Sequence, residues 1–363
     1  MKNKVDSIVI ITFHFVPNYG AALQAYAMKH IFDNYGEKVT FLNYQPASIT
    51  RPYRNFHARS FRNFISSILN LPASFRKNMR FASFFQKYIP DTQKAWERAD
   101  GISVDSDRIV LGSDQIWNFN ITDGYDGVYW GEIEQNRPCR IISYAASMGN
   151  GQLSREDLAL IQHSLRNIRF LSVRETATRQ KLQSLTRRNI PVVLDPTFLI
   201  DNQEWLSLSP EIKHKNYVLL YSLNNRSETT KIAQFIASEA DLEIIEILSG
   251  GRSFQKRSGH IEKTAVGPGE FIGLIANASY VITDSYHGTV FSIQFQKDFY
   301  SYVDGSNQSR IEDLLRRLNL ADRILYSYPP NMQLTTINYT NCNRILRKQI
   351  LYSIKFIENA MEE

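Results

Sequence analysis

Short β-branched, apolar runs alternate with amphipathic helical stretches along nearly the whole chain, and this alternation restricts the fold more than any other feature. DSIVIITF at 6–13 leads through the turn HFVPNYG into AALQAYAMKHIF, whose apolar residues recur at helical spacing. KVTFLNY (38–44), RIVLGS (108–113), RIISYAAS (140–147) and FLSVRE (170–175) read as further strands, with REDLALIQHSLRNI (155–168) as a helix among them. PVVLDPTFL (191–199) reads as a strand with a turn, and YVLLYSL (217–223) opens a second set. That set continues with a helix at 228–240, a strand EIIEIL (243–248), a polar loop from Ser249 to Gly269 and the helix GEFIGLIANA. SYVITDS (279–285), the helix HGTVFSIQF, the strand FYSYV, the helix RIEDLLRRL and a final amphipathic helix over 343–361 complete it. Parallel strands need crossover connections and bury both faces of their sheet, so the pattern predicts an α/β protein with helices covering parallel sheets.

A chain of 363 residues corresponds to about two domains, and two βα sets predict two Rossmann-like domains. The expected arrangement resembles that of GT-B glycosyltransferases, with an interdomain cleft. The expected divisions are 1–185, with a basic helical insertion at about 45–90; 186–340, carrying TDSYHG; and a C-terminal helix, 341–363, packing back on the first domain. Only Cys139 and Cys342 are present, too few for a disulfide framework or a cysteine-rich zinc site, so a reducing, cytoplasmic setting is expected. No run approaches the roughly 20 apolar residues of a membrane span, and Met1 to Val16 reads as a buried strand rather than a signal peptide.

Charge is unevenly placed. The net charge is +6, yet Lys38 to Pro90 contains no acid and nine bases, leaving −3 elsewhere. FHARSFRNFISSILNL and SFRKNMRFASFFQKYI within it read as two amphipathic helices. A placed basic, apolar-studded segment suits an anionic membrane surface at the inner face, or a solvated lid or dimer surface, and argues against a general nucleic-acid binder.

In open parallel sheets ligands collect beyond the carboxyl ends of strands, so the residues there are the candidates. After the first strand come His14 and the turn Asn18, Tyr19, Gly20, where a helix start can hold an anion or simply packs tightly. GSDQIWN offers Ser113, Asp114, Gln115 and Trp117 for sugar hydroxyls, or Ser113 and Asp114 as helix caps. Ser147 ends another strand. Arg174 can grip a carboxylate or phosphate bidentately, or pair with Glu175 or another acid. TDSYHG is the densest segment, because Asp284 can orient the His287 imidazole at a strand-to-helix turn beside Gly288 and Thr289. There is no HExxH, no CxxC pair, no DxD of the kind that holds a divalent ion beside a nucleotide sugar, and no GxxxxGK[ST], so no metal and no ATP-type phosphate loop is expected.

Taken in order, PNYGAALQAYAM, GSDQIWN, SYAAS, SVRE, LDPT and TDSYHGTVFSIQF span residues 17–295 and resemble the polysaccharide pyruvyl transferase family. The resemblance implies transfer of a pyruvyl group from phosphoenolpyruvate, as co-substrate without a further cofactor, to a sugar as a cyclic ketal in surface polysaccharide (capsule or exopolysaccharide) synthesis. It places the catalytic histidine at His287 and the donor-gripping arginine at Arg174, with Ser285, Gly288 and Thr289 around the donor and the first-domain residues on the acceptor side. Some members read Asp-Arg-Leu-His where this chain has Asp284, Ser285, Tyr286, His287, so either another basic residue, such as Arg252 or Arg257, replaces the second donor-binding arginine or donor recognition differs. The saccharide acceptor is left open as free, nucleotide-linked or lipid-linked. Two other readings remain open: a GT-B glycosyltransferase using a nucleotide sugar, and an inactive scaffold of an envelope-assembly complex.

Overall fold

A computed structural model describes residues 5–53, 61–90, 95–224, 226–248, 259–305, 308–329 and 331–362. The chain divides into two compact units, one of residues 1–53, 85–200 and 346–363, the other of 54–84 and 201–345.

The first unit is built on strands β1 (Val5–Ile11), β2 (Gly36–Phe41), β3 (Arg108–Leu111), β4 (Arg140–Ala146) and β5 (Ile168–Val173). Helix α1 (Tyr19–Phe32) joins β1 to β2, α2 (Phe61–Tyr88) precedes β3, α3 (Arg155–Ser164) joins β4 to β5, and α4 (Thr176–Gln183) follows β5. The sheet is wholly parallel, in the order β2-β1-β3-β4-β5. Its central strands are apolar on both faces, and Ile8, Ile10, Ile109, Val110 and Leu111 are fully buried, as helix-covered parallel strands require. A register shift in β4 leaves Ala145 at φ 56°, a left-handed conformation rare for a residue with a Cβ, and Ser172 Oγ accepts its N–H at 3.2 Å.

The second unit contains α5 (Asn202–Ser207), β6 (Val218–Tyr221), α6 (Arg226–Ala240), β7 (Ile244–Ile247), β8 (His260–Lys263), α7 (Pro268–Asn277), β9 (Tyr280–Thr283), α8 (Tyr286–Gln294), β10 (Asp298–Tyr302), α9 (Gln308–Arg317) and β11 (Ile324–Leu325). Its parallel sheet runs β8-β7-β6-β9-β10-β11. This is the 3-2-1-4-5-6 order of a Rossmann sheet, whereas the first unit has the related 2-1-3-4-5 order. The final helix α10 (Tyr339–Glu362) packs its carboxyl-terminal part into the first unit: Ser353 Oγ accepts the Leu194 N–H at 3.0 Å, and the Phe356 ring lies 6.3 Å from that of Tyr144.

Three local expectations are corrected. The basic segment forms one helix, α2, rather than two, and it runs through Pro72. The missing proline N–H costs a helix interior about 3 kcal/mol, which burial of Ala73, Phe81 and Phe84 on the following turns offsets. Residues 191–199 form no strand; Val192 makes an isolated bridge to Val173, and Asp195 then caps a 3-10 turn over Pro196–Leu199 by accepting the Thr197 N–H at 3.1 Å. The expected loop 249–269 contains β8, an edge strand whose sequence HIEK lacks the apolar run that marks the central strands.

Candidate functional site

The order of the second sheet reverses direction between β6 and β9, and such a switch point is where helices on opposite faces leave a crevice beyond the strand ends. TDSYHG lies there. β9 ends at Thr283, whose Oγ1 accepts the Ser285 N–H at 3.0 Å, and Ser285 caps α8 by accepting the Gly288 N–H at 3.3 Å. Asp284, 1% exposed, accepts hydrogen bonds from the Leu223 N–H (2.6 Å), the Asn224 N–H (2.8 Å) and Ser222 Oγ (2.9 Å). It therefore ties the end of β9 to the end of β6 across the switch point.

His287 stands in the first turn of α8, 8% exposed, its ring edge-on to that of Tyr286 at 5.2 Å. The Arg310 guanidinium, from α9, lies 5.7 Å from the Tyr286 ring centroid. This cation beside the TDSYHG turn is one that sequence reasoning missed, since Arg310 lies 24 positions beyond Tyr286 and no motif marks it. Arg252 and Arg257 lie outside the described residues. Gly288 is set by packing: a Cβ there would meet Thr283 Oγ1 at 2.4 Å, so only glycine lets α8 sit this close to β9. Thr289 is fully buried, its hydroxyl 2.7 Å from Ser301 Oγ and 3.0 Å from the Ser285 carbonyl, which fixes α8 to β10.

In the first unit the switch point falls between β1 and β3, and two of the candidate clusters occupy it. The chain turns off β1 through Thr12 and His14; the latter is buried, with Nδ1 3.1 Å from the Thr12 carbonyl and its ring 4.8 Å from that of Phe41. Asn18 caps α1 by accepting the Ala21 N–H at 3.1 Å, and Tyr19 and Gly20 enter the helix buried. From β3, Gly112 passes so close that a Cβ would meet Thr12 Cβ at 2.8 Å. Asp114 and Gln115 then emerge half-buried, the Asp114 carboxylate accepting the Gln115 N–H at 2.7 Å. Trp117 is core, fully buried and stacked on Trp130 at 4.2 Å.

Beyond β4 and β5 lies a buried polar network. Arg174 donates to Asp195 at 2.8 Å, the two side chains 1% and 0% exposed, and its Nε lies 3.7 Å from Glu175. Asp195 also accepts from Ser113 Oγ at 3.1 Å and Thr197 Oγ1 at 2.7 Å. Ser147 Oγ donates to Glu175 at 2.9 Å, and Thr178 donates to the same carboxylate. The structure thus brings Ser113 and Arg174 together through Asp195, and Ser147 next to them through Glu175. The motif LDPT contained the connecting Asp195, but nothing in its spacing showed that Arg174 would be its partner.

Among the described residues, no group of three or more histidine, cysteine or acidic side chains is placed to hold a metal ion, and no helix is long and apolar enough to cross a membrane. No curated protein matches the chain. Among solved structures, the S. aureus MnaA–UDP co-structure has a TM-score of 0.50 at 9% identity, covering 99% of this chain and 91% of that one. The glycosyltransferase SnogD from Streptomyces nogalater has a TM-score of 0.42 at 10% identity, covering 99% and 100%. UDP-GlcNAc 2-epimerase from Methanocaldococcus jannaschii has a TM-score of 0.45 at 10% identity, covering 96% and 91%. At such identities only the first likeness bears on the argument, and it bears on the fold alone: mixed α/β with parallel, Rossmann-like sheets. The sequence model of polysaccharide pyruvyl transferase matches residues 18–305, a span that contains the TDSYHG switch point and the motifs from Asn18 onward, with β1, Thr12 and His14 lying before it. By that match the chain belongs to the polysaccharide pyruvyl transferase family.

Proposed function

We propose that this protein transfers the pyruvyl group of phosphoenolpyruvate to two hydroxyls of a saccharide, forming a cyclic ketal, with the second unit as the donor side. The observation that carries this reading is the seat of His287: an imidazole in the first turn of a helix, at the switch point of a Rossmann sheet, in a chain whose family is polysaccharide pyruvyl transferase. The amide end of α8 favours an anion, and Arg310 beside Tyr286 adds positive charge for the phosphate or carboxylate of the donor. Arg310 then takes the place of the second donor arginine that the family resemblance leads one to expect.

In this mechanism the protonated imidazole of His287 delivers its proton to the methylene carbon of phosphoenolpyruvate, leaving an oxocarbenium-like centre at C2. The first sugar hydroxyl adds there, its proton going to a carboxylate base. The C2–O bond to phosphate then breaks, inorganic phosphate leaves with the bonding pair, and the second hydroxyl adds with loss of its proton, closing the ketal. Asp114, half-buried at the switch point of the first unit, is proposed as a saccharide-binding carboxylate of that unit. Asp284 is given a positioning role, since its two oxygens are engaged by residues 222–224. Arg174 is likewise a positioning residue, holding Asp195 and through it Ser113.

The reading extends to a lipid-linked acceptor and to contact of α2 with an anionic membrane. Phe75 and Met79, 62% and 56% exposed, stand beside Arg76 on a helix without an acidic side chain. Thermal-shift titration tests the donor. Stabilisation by phosphoenolpyruvate, reduced in Arg310→Gln, supports the proposal; stabilisation by a UDP- or GDP-sugar and not by phosphoenolpyruvate contradicts it.

A further inference from the structure

Helix α10 buries one face, with Leu346, Ser353, Ile357, Ala360 and Met361 turned inward. The opposite stripe, Arg344, Arg347, Lys348, Leu351, Tyr352 and Lys355, is exposed throughout. These residues recur at spacings of three and four and therefore share one side of the helix. Leu351 is 67% exposed and Tyr352 51%, among the most exposed large apolar side chains described, and cations stand one turn away on both sides of Leu351. No acidic residue occurs from Tyr339 to Ile357, so the stripe carries four positive charges that nothing on its own helix neutralises before Glu358.

Scattered surface hydrophobes need no explanation, but an adjacent Leu–Tyr pair ringed by cations does. A nucleic acid or an acidic protein would engage the cations and leave Leu351 in water. A bilayer surface uses every member of the stripe: lipid phosphates meet the Lys and Arg side chains, Leu351 enters the acyl boundary, and Tyr352 keeps its hydroxyl at headgroup level. We propose that the outward stripe of α10 docks on an anionic bilayer surface, with Leu351 and Tyr352 as the inserted pair. This contact does not rest on the pyruvyl-transfer reading and is tested without any activity.

The full chain is sedimented with phosphatidylcholine vesicles with and without phosphatidylglycerol. Binding is expected only with phosphatidylglycerol, weakening as salt screens the charges. A fall of about tenfold in partitioning is expected for Arg347→Gln/Lys348→Gln/Lys355→Gln, and again about tenfold for Leu351→Ser/Tyr352→Ser, at unchanged melting temperature. The swap Arg347→Lys/Lys348→Arg retains binding. Partitioning unchanged in both multiple variants overturns the proposal, as does equal binding to pure phosphatidylcholine. Binding to duplex DNA that is lost with the cations, indifferent to Leu351→Ser and accompanied by no vesicle binding also overturns it.

Discussion

Asp284 accepts the backbone N–H of Leu223 at 2.6 Å, so the carboxylate that follows β9 fixes the position of the chain leaving β6. With the Asn224 N–H and the Ser222 hydroxyl also bound, the two strand ends at the switch point are held as one piece, and His287 is presented three residues beyond the clamp.

Asp284→Asn keeps the shape but replaces one carboxylate oxygen by a donor that faces donors. The expected loss is about 2 kcal/mol of stability, the cost of leaving buried polar groups unmatched. Urea unfolding measures it, and Asp284→Glu, whose longer side chain misplaces both oxygens, should not restore it.

Arg174→Met strands the Asp195 carboxylate, which is 0% exposed in its pair with Arg174. Removing one partner of a buried pair costs about 3 to 5 kcal/mol. Adding Asp195→Asn to Arg174→Met should recover part of that loss, and a double-mutant cycle reads the coupling. Additive effects would show that the two side chains act independently.

Gly288→Ala places a methyl 2.4 Å from Thr283 Oγ1 and 3.1 Å from its Cβ. The expected cost is about 1 to 3 kcal/mol, as for overpacked cores. Thr283→Ala in the same chain removes the hydroxyl and should relieve most of it, which equilibrium unfolding of the three variants resolves.

Burial pushes the Cys342 thiol up from 9.0 to about 11. Between those values the unfolded chain releases this proton and the folded chain keeps it. The stability it contributes is therefore complete below pH 9 and lost as pH rises through 9 to about 11. Unfolding free energies of the wild type should fall more steeply over that window than those of Cys342→Ala, and parallel curves would exclude the thiol as the cause.

The parallel α/β class was legible because central strands of a covered sheet must be apolar on both faces, and DSIVIITF and YVLLYSL announce such strands without any tertiary information. The candidates at strand ends followed from the same physics, and His14, Asn18, Asp114, Asp284 and His287 all fall at the two switch points. What sequence could not supply was partnership. Arg174 reads identically whether it grips a ligand or a buried acid, and the pairing with Asp195 becomes visible only in the structure. Trp117 likewise reads as one of the acceptor-side residues of GSDQIWN, and its stacking against Trp130 in the core shows only in the structure. The strand HIEK was missed because an edge strand needs no apolar run, and Arg310 because helix α9 carries no motif.

The central claim, that His287 protonates phosphoenolpyruvate for pyruvyl transfer, is tested most directly by mass spectrometry of lipid-linked saccharides incubated with phosphoenolpyruvate and either wild type or folded His287→Ala. The account predicts that the wild type adds one pyruvate less one water to the saccharide, with release of one phosphate. It predicts a fall of about 10² to 10⁴ in that rate for His287→Ala, the range of a lost general acid. Near-normal turnover in folded His287→Ala, or no pyruvyl adduct with the wild type, would contradict it.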